Sequence, residues 1–269
     1  MGVHSVDVRL AAMTSQRGGP NVVGRATALL RAVGAAEPTG ASTTELAKAT
    51  GLARPTAHRL LTSLTEEGFL DREAATGRWA LGPEMYLLGS AAAGRYDITE
   101  QARSVVHALA RESGESAFLS TRRGDETVCL LREDGSFPLR SHVLYEGIRL
   151  PLGVASAGLV ILAHLPDREI EEYLGRADLQ PEWGPQHHPD GVRERIADTR
   201  EAGYAINPAL LVEGSWGIGA AVFDRSGKPA WALSLTGVET RFRPERRREL
   251  GTLLLHHAHV LTGRLERRW

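Results

Sequence analysis

The chain has 269 residues, 42 % of them hydrophobic and 24 % charged, which suits one large or two ordinary globular domains and excludes a disordered chain. A formal net charge of −1 excludes the strong basicity that would by itself announce a nucleic-acid partner, and residues 21–82 are nearly balanced, with seven basic against six acidic side chains. The single cysteine, Cys129, excludes an internal disulfide and fits a reducing cytoplasm, while the most apolar run, "LPLGVASAGLVILAHLP", is too short for a membrane span and holds Pro151 and Pro166.

Residues 1–20 contain no apolar signal core and read as a flexible arm. The spacing in "VVGRATALLRAVGAA" predicts a helix over 22–36, broken at "EPTGAS". A second helix is predicted through "TELAKAT", with Ser42 or Thr43 as its N-cap. Gly51 ends it in a tight turn, and Pro55 suits the first turn of a third helix that stops at Gly68. In that third helix Ala57, Leu60, Leu61 and Leu64 share one face, and Arg59 and Thr62 lie opposite, flanked by Thr56, His58 and Ser63. "FLDREAATGRWAL" then reads as two short strands around "EAATG". Three helices and a hairpin make a winged helix-turn-helix over residues 21–82; the alternative is a small helical subdomain that merely packs.

"PEMYLLGSAAAG" predicts a helix leaving that domain, a linker over residues 83–96. Residues 97–269 form the second domain. It opens on a helix with Ile98, Ala102, Val105 and Leu109 on one face. After Gly114 the pattern turns to strands, with hairpins at "SAFLSTRRGDETVCLLRED" and "GSWGIGAAVFDRSGKPAWALSLTG". Between them sit an apolar helix, "SAGLVILAHL", and a polar one near "DGVRERIADTREAG"; a long helix railed by Leu250, Leu254, Leu261 and Leu265 closes the chain. Antiparallel hairpins with helices on one side predict an α+β sensor-like domain.

The segments "GLARPTAHRLLTSLTEEGFLDR…GRWALGPEMYLLG", "RLPLGVASAGLVILAHLP" and "EAGYAINPALLVEGSWGIGAAVFDRSGKPAWALSLTG" together resemble the isocitrate-lyase-regulator (IclR) family of bacterial transcription factors. The likeness runs over about residues 21–266, in the family's order and with comparable spacing. It implies an amino-terminal winged helix for an operator in double-stranded DNA and a connecting helix used in dimerisation. It further implies a carboxy-terminal effector domain of GAF-like fold, and assembly as a homodimer or homotetramer.

A winged helix lays its third helix in the major groove, where base edges are distinguishable. Arg59 can then fork onto a guanine, with Thr62 and His58 beside it and Thr56 near a phosphate or a thymine methyl. Arg54 sits by the helix N-terminus, which favours phosphate. Thr43 and Thr44 are further phosphate candidates, and Arg72 and Arg78 of the wing can approach the backbone or minor groove. Each arginine can equally be a solvated surface charge; Arg59 is set apart because its face has no other evident use.

In the second domain, Ser234 and Thr236 are two residues apart on a strand, so both hydroxyls point to one side while Trp231, Leu233 and Leu235 point to the other. Such hydroxyls bond locally or meet a ligand. The small residues of "ASAGLVILA" leave N–H groups open near Ser156 and Ala157, a carboxylate site unless Ser156 is an ordinary cap. The resemblance implies an effector pocket at Ser156, Ala157, Asn207, Gly217, Ser234 and Thr236. Family members that bind small oxo-acids tend to carry an acidic residue where Asn207 stands and a cysteine where Gly217 stands. Gly158-Leu159 also departs from the family's usual Gly-Lys. The gap at Gly217 points to a larger ligand, an aromatic acid among them, with His142 and Tyr145 as candidate lining.

No catalytic residues are assigned. Ser156 lies outside a G-x-S-x-G elbow and "GSWGIG" runs into a strand, so neither a hydrolase nor a dinucleotide site is read. The pairs His187-His188 and His256-His257, with His259, lack carboxylate or cysteine partners at zinc-site spacing, so no metal and no cofactor is expected. Cys129 reads as inert core. The expected function is a ligand-responsive, cytoplasmic transcriptional regulator sensing a small carboxylate or aromatic acid. The alternatives are a small-molecule-binding protein or enzyme with an incidental helical cap, and a winged helix that binds protein.

Overall fold

A computed structural model describes residues 22–93, 98–139 and 143–267, so the arm expected over residues 1–20 lies outside the described part. The chain divides at residues 96 and 97 into two compact units.

The first unit holds α1 (Val22–Gly34), α2 (Thr43–Thr50), α3 (Arg54–Glu66), the strands β1 (Leu70–Arg72) and β2 (Trp79–Leu81), and α4 (Pro83–Ala93). Helix α1 stops two residues short of the expected end, in a run of turns. Ser42 is the N-cap of α2, and its reciprocal bonds with Glu45 form a capping box. Gly51 closes α2 in the left-handed region at φ 68°. Pro55 falls in the first turn of α3. The antiparallel hairpin pairs Leu70 with Leu81 and Arg72 with Trp79. Its second strand also bridges to Ala41 through bonds of 2.8 and 3.0 Å. Gly82 is obligatory, because a Cβ there would stand 2.3 Å from the carbonyl oxygen of Gly68. Leu29, Val33, Leu46, Ala57, Leu61, Leu70 and Trp79 make one core. Trp79 is its largest member, and its indole N–H donates to Thr43 Oγ1 at 2.9 Å.

The second unit is built on a six-stranded antiparallel sheet in the order β5-β4-β3-β8-β7-β6. Its strands are β3 (Ser116–Arg123), β4 (Glu126–Glu133), β5 (Arg149–Pro151), β6 (Ala205–Pro208), β7 (Ser215–Phe223) and β8 (Pro229–Val238). One face carries Leu119, Leu131, Ile218, Val222, Leu233 and Leu235. These pack against α5 (Ile98–Ser113) and the closing helix α10 (Pro244–Glu266). The other face is covered by α6 (Ser156–Ala163), with α7 (Asp167–Arg176), the short α8 (Gln180–Trp183) and α9 (Pro189–Ala202) around it. The expected one-sided packing is therefore corrected: helices cover both faces. The physical reason lies in Gly217, Gly219, Ala221, Ala232 and Ser234, small residues that hide a second buried face behind a pattern that does not look apolar. Every residue of α6 is buried. No helix among the described residues is long and apolar enough to cross a membrane.

Because Trp79 joins the hairpin to α2 and fills the core of the first unit, Trp79→Ala should cost that unit about 3–5 kcal/mol. Thermal melts followed by circular dichroism should show a first transition at markedly lower temperature.

Candidate DNA-reading helix and effector site

Helix α3 buries Ala57 and Leu61 completely and turns its opposite face outward. Arg54, Pro55, His58, Arg59, Thr62, Ser63 and Glu66 line one open, shallow depression along that face. Arg54 and Arg59 are exposed, with no hydrogen bond or ion pair to any described residue. Thr62 donates its hydroxyl to the His58 carbonyl, and His58 meets the edge of Trp79 at 6.0 Å between ring centroids. Thr56 is half-buried in the first turn. The N-cap is Ala53, which supplies no side-chain acceptor, so the first N–H groups of α3 keep their affinity for an anion. Glu66 places the one negative charge of the face at its far end.

The remaining candidates for DNA divide. Thr44 and Arg72 are exposed, although Arg72 bonds the Gly77 carbonyl at 3.3 Å and lies over the Trp79 ring. Thr43 faces inward and receives the Trp79 N–H. Arg78 is committed to the carbonyls of Thr39 and Gly40 and to Glu45 at 3.1 Å. Thr43 and Arg78, expected at the DNA backbone, thus also fasten the unit internally, Thr43 from a buried position and Arg78 with part of its side chain still exposed.

In the second unit α6 begins at Ser156, and Ala155 precedes it as an N-cap with no side-chain bond. Ser156 is therefore the first helical residue rather than the cap, and the first-turn N–H groups lack a side-chain partner. The helix rests almost on the sheet: a Cβ on Gly219 would lie 2.8 Å from the Ser156 carbonyl carbon and oxygen and 3.1 Å from the Ala157 nitrogen. A Cβ on Gly217 would lie 3.2 Å from Ser156 Oγ. Asn207, Gly217 and Thr236 stand side by side in register on β6, β7 and β8. With Ser156, Ala155, Ser215, Trp216, Val143, Leu144 and Leu211 they enclose a space of about 20 Å³, room for one water. Any larger guest must displace the apolar side chains that close it. Ser234 and Ala157 are buried beside this space without lining it, Ser234 lying opposite Gly219 in the sheet. The hydroxyls of Ser234 and Thr236 have no hydrogen-bond partner among the described residues.

Asn207 donates to the Val154 carbonyl at 2.7 Å and accepts from the Leu210 N–H at 3.1 Å. It therefore holds the turn before α6 and wall of the space at once. Behind Val154 lies His187, 1 % exposed, whose Nδ1 is 2.8 Å from the Trp183 carbonyl. Burial first, and then the charge of Arg195, hold its pKa below the ordinary value. Cys129 is buried, and burial raises its thiol to about 12, so it is no nucleophile at neutral pH. Among the described residues no group of three or more His, Cys, Asp or Glu is placed to hold a metal ion.

Two family descriptions match. Residues 22–74 match the IclR helix-turn-helix domain, and residues 90–262 match the bacterial transcriptional regulator IclR C-terminal domain. The chain belongs to the IclR family of bacterial transcriptional regulators. It is 31 % identical over 203 residues to the HTH-type transcriptional regulator KipR of Bacillus subtilis (strain 168), covering 75 % of this chain and 80 % of that one. Its fold is similar to the crystal structure of the Thermotoga maritima IclR, with a TM-score of 0.71 and 25 % identity over 92 % of this chain and 100 % of that one. It is also similar to an IclR homologue from Microbacterium hydrocarbonoxydans complexed with 4-hydroxybenzoate. There the TM-score is 0.73 over 92 % of this chain and 100 % of that one, at 22 % identity, a likeness of fold alone. The related proteins are regulators rather than enzymes.

In this IclR-family chain Ser156, Asn207, Gly217 and Thr236 floor the space, and residues without any motif roof it. Tyr145 lines a separate surface depression with Arg132, Glu133, Asp134 and Glu146, and so is corrected; its neighbours Val143 and Leu144 form the roof. His142 lies outside the described residues. Nothing in "LRSHVLYEG" distinguishes Val143 and Leu144 from ordinary core, because their partners are far away in sequence.

Gly219→Ala should lift α6 and cost about 1–3 kcal/mol, lowering the melting temperature of the second unit. Gly217→Ala, which meets only a hydroxyl able to rotate away, should cost less. The depressed pKa of His187 has a definite sign. The unfolded chain takes up the proton near pH 6.5 while the folded chain resists, so this contribution to stability is complete above that pH and is lost as pH falls below it. Melting temperatures measured from pH 7.5 down to 5.5 should fall, and fall less steeply in His187→Gln.

Proposed function

We propose that this IclR-family regulator reads a double-stranded operator through the outward face of α3, and that its carboxy-terminal domain senses a small carboxylate or aromatic acid. The observation that carries the first half is the two-sided character of α3. Ala57 and Leu61 are wholly buried, while Arg54 and Arg59 stand free on the other side. Arg59 forks onto a guanine, His58 and Thr62 flank it, and Arg54 and the uncapped α3 N-terminus take phosphate. Thr44, Thr56 and Arg72 add backbone contacts. A unit so close to neutral gains little from bulk electrostatics. Pairing into a homodimer or homotetramer doubles the phosphate contacts and supplies the affinity one copy lacks. A regulator of this kind works in the cytoplasm, where the chromosome is.

The second half rests on the uncapped start of α6 and the unpartnered hydroxyls beside it. Ser156 and Thr236, with the first-turn N–H groups at Ser156 and Ala157, supply a carboxylate with donors; Ser234 lies just behind them, Gly217 leaves the room, and Asn207 shapes the wall. The 4-hydroxybenzoate held by the Microbacterium hydrocarbonoxydans homologue supports an organic acid as the class. A space the size of one water means that ligand and closed form compete, so the effector selects an opened arrangement. Its control of DNA binding equals its difference in affinity for the two arrangements.

Arg59→Ala should cost about 1–3 kcal/mol per half-site in specific operator binding and leave the melting temperature unchanged, since the side chain is exposed. Footprinting on the promoter of the protein's own gene, at several salt concentrations, checks this. A mutant footprint identical to the wild-type one would refute the assignment.

A further inference from the structure

Helix α3 ends on a charge that its own stability does not explain. Glu66 is the last residue of the helix, and no basic residue stands in that final turn. A carboxylate there faces the negative end of the helix dipole, where a cation or a neutral group is favoured. Glu66 is exposed, with no hydrogen bond or ion pair to any described residue. On the outward face of a helix that meets DNA it also opposes phosphate. Neither the fold nor phosphate binding gains from it.

Position on the face narrows what Glu66 can meet. Ala57, Leu60, Leu61 and Leu64 centre the side packed on the core. At about 100° per residue, Arg59 and Glu66 both fall within about 30° of the line directly opposite. Two helical turns separate them, about 10 Å along the axis. Both line the same open depression, with Thr62 and Ser63 between them. Glu67 is exposed as well, but it lies outside the depression, about 100° round the helix from Glu66.

Stacked base pairs are about 3.4 Å apart, so a helix laid along the major groove with Arg59 on a guanine brings Glu66 to a pair roughly three steps away. A carboxylate accepts hydrogen bonds and gives none. The base edge that offers a donor with no acceptor beside it in the major groove is the cytosine amino group.

We infer that Glu66 is a specificity-determining residue, accepting from the N4 amino group of a cytosine about three base pairs from the guanine held by Arg59. The inference rests on α3 reading the operator, as proposed above. Discrimination comes from both signs of contact. Cytosine donates to the carboxylate, whereas guanine or thymine in its place sets acceptor against acceptor.

The test selects sites from a random-sequence DNA duplex library with the full-length wild-type protein. Gel-shift titration of the selected site and its single-base variants then measures each preference in the wild type, Arg59→Ala, Glu66→Gln and Glu67→Gln. Wild-type sites should share a guanine whose preference disappears in Arg59→Ala and, about three pairs away, a cytosine preferred about tenfold over other bases. Glu66→Gln should lose the cytosine preference or move it to adenine, which a glutamine amide matches, while the guanine preference and the melting temperature stay. Glu67→Gln removes the same charge off the line and should leave both preferences in place. Base preferences unchanged in Glu66→Gln overturn the inference. So does a uniform tightening on every sequence in both glutamine variants, because the carboxylate would then only oppose phosphate. A guanine that depends on Arg59 with no cytosine preference at that distance overturns the inference and leaves the reading of α3 standing. A wild type that enriches no sequence removes both.

Discussion

The contact on which the effector domain depends is the seating of helix α6 on bare backbone. At Gly219 the helix start comes so near that even a methyl group would overlap the Ser156 carbonyl. This approach buries α6 on every side and turns a sheet with one core into a sheet with two. It also brings the uncapped start of α6 beside Asn207, Gly217 and Thr236, the row shared by β6, β7 and β8. Stability and the proposed effector site therefore share one constraint. Small residues under the helix lose apolar burial and gain a polar surface close enough for one molecule to touch both.

The winged unit solves a different problem with similar economy. Its core is small, and one tryptophan ties hairpin, α2 and α3 together through an indole bond to Thr43 and an edge contact with His58. Arg78 and Glu45 fasten the wing to the turn before α2. These polar groups are engaged by the fold, whereas the outward residues of α3, Arg54 and Arg59 among them, keep hydrogen-bonding capacity to spare. Selectivity for a partner arises as much from what has been used up internally as from what is displayed.

Much of this architecture was legible along the chain. Helical spacing in residues 54–66, the Ser42 and Glu45 pair, Gly51 and the turn residues at "EAATG" are local signals, each acting within a few residues. The two-residue step of Ser234 and Thr236 likewise announced a shared strand face. What escaped local reading was long-range. Thr43 and Arg78 look like any polar residues at a helix start and in a wing until Trp79, Thr39 and Gly40 are brought beside them. Val143 and Leu144 carry no motif, and only the closure of the roof places them at the space beneath α6.

Sequence alone determined the elements and their polarity: which helices exist, which of their faces are apolar, and that the chain belongs among regulators with a winged helix and an α+β partner domain. These follow from forces that act between near neighbours along the backbone. Tertiary structure decided which face of the sheet lies beneath α6, how little space remains there, and which polar side chains are still free for a ligand. Those outcomes depend on the register of β3 on β8, whose partners such as Ser116 and Thr236 are far apart along the chain, and no local pattern encodes a pairing of that kind.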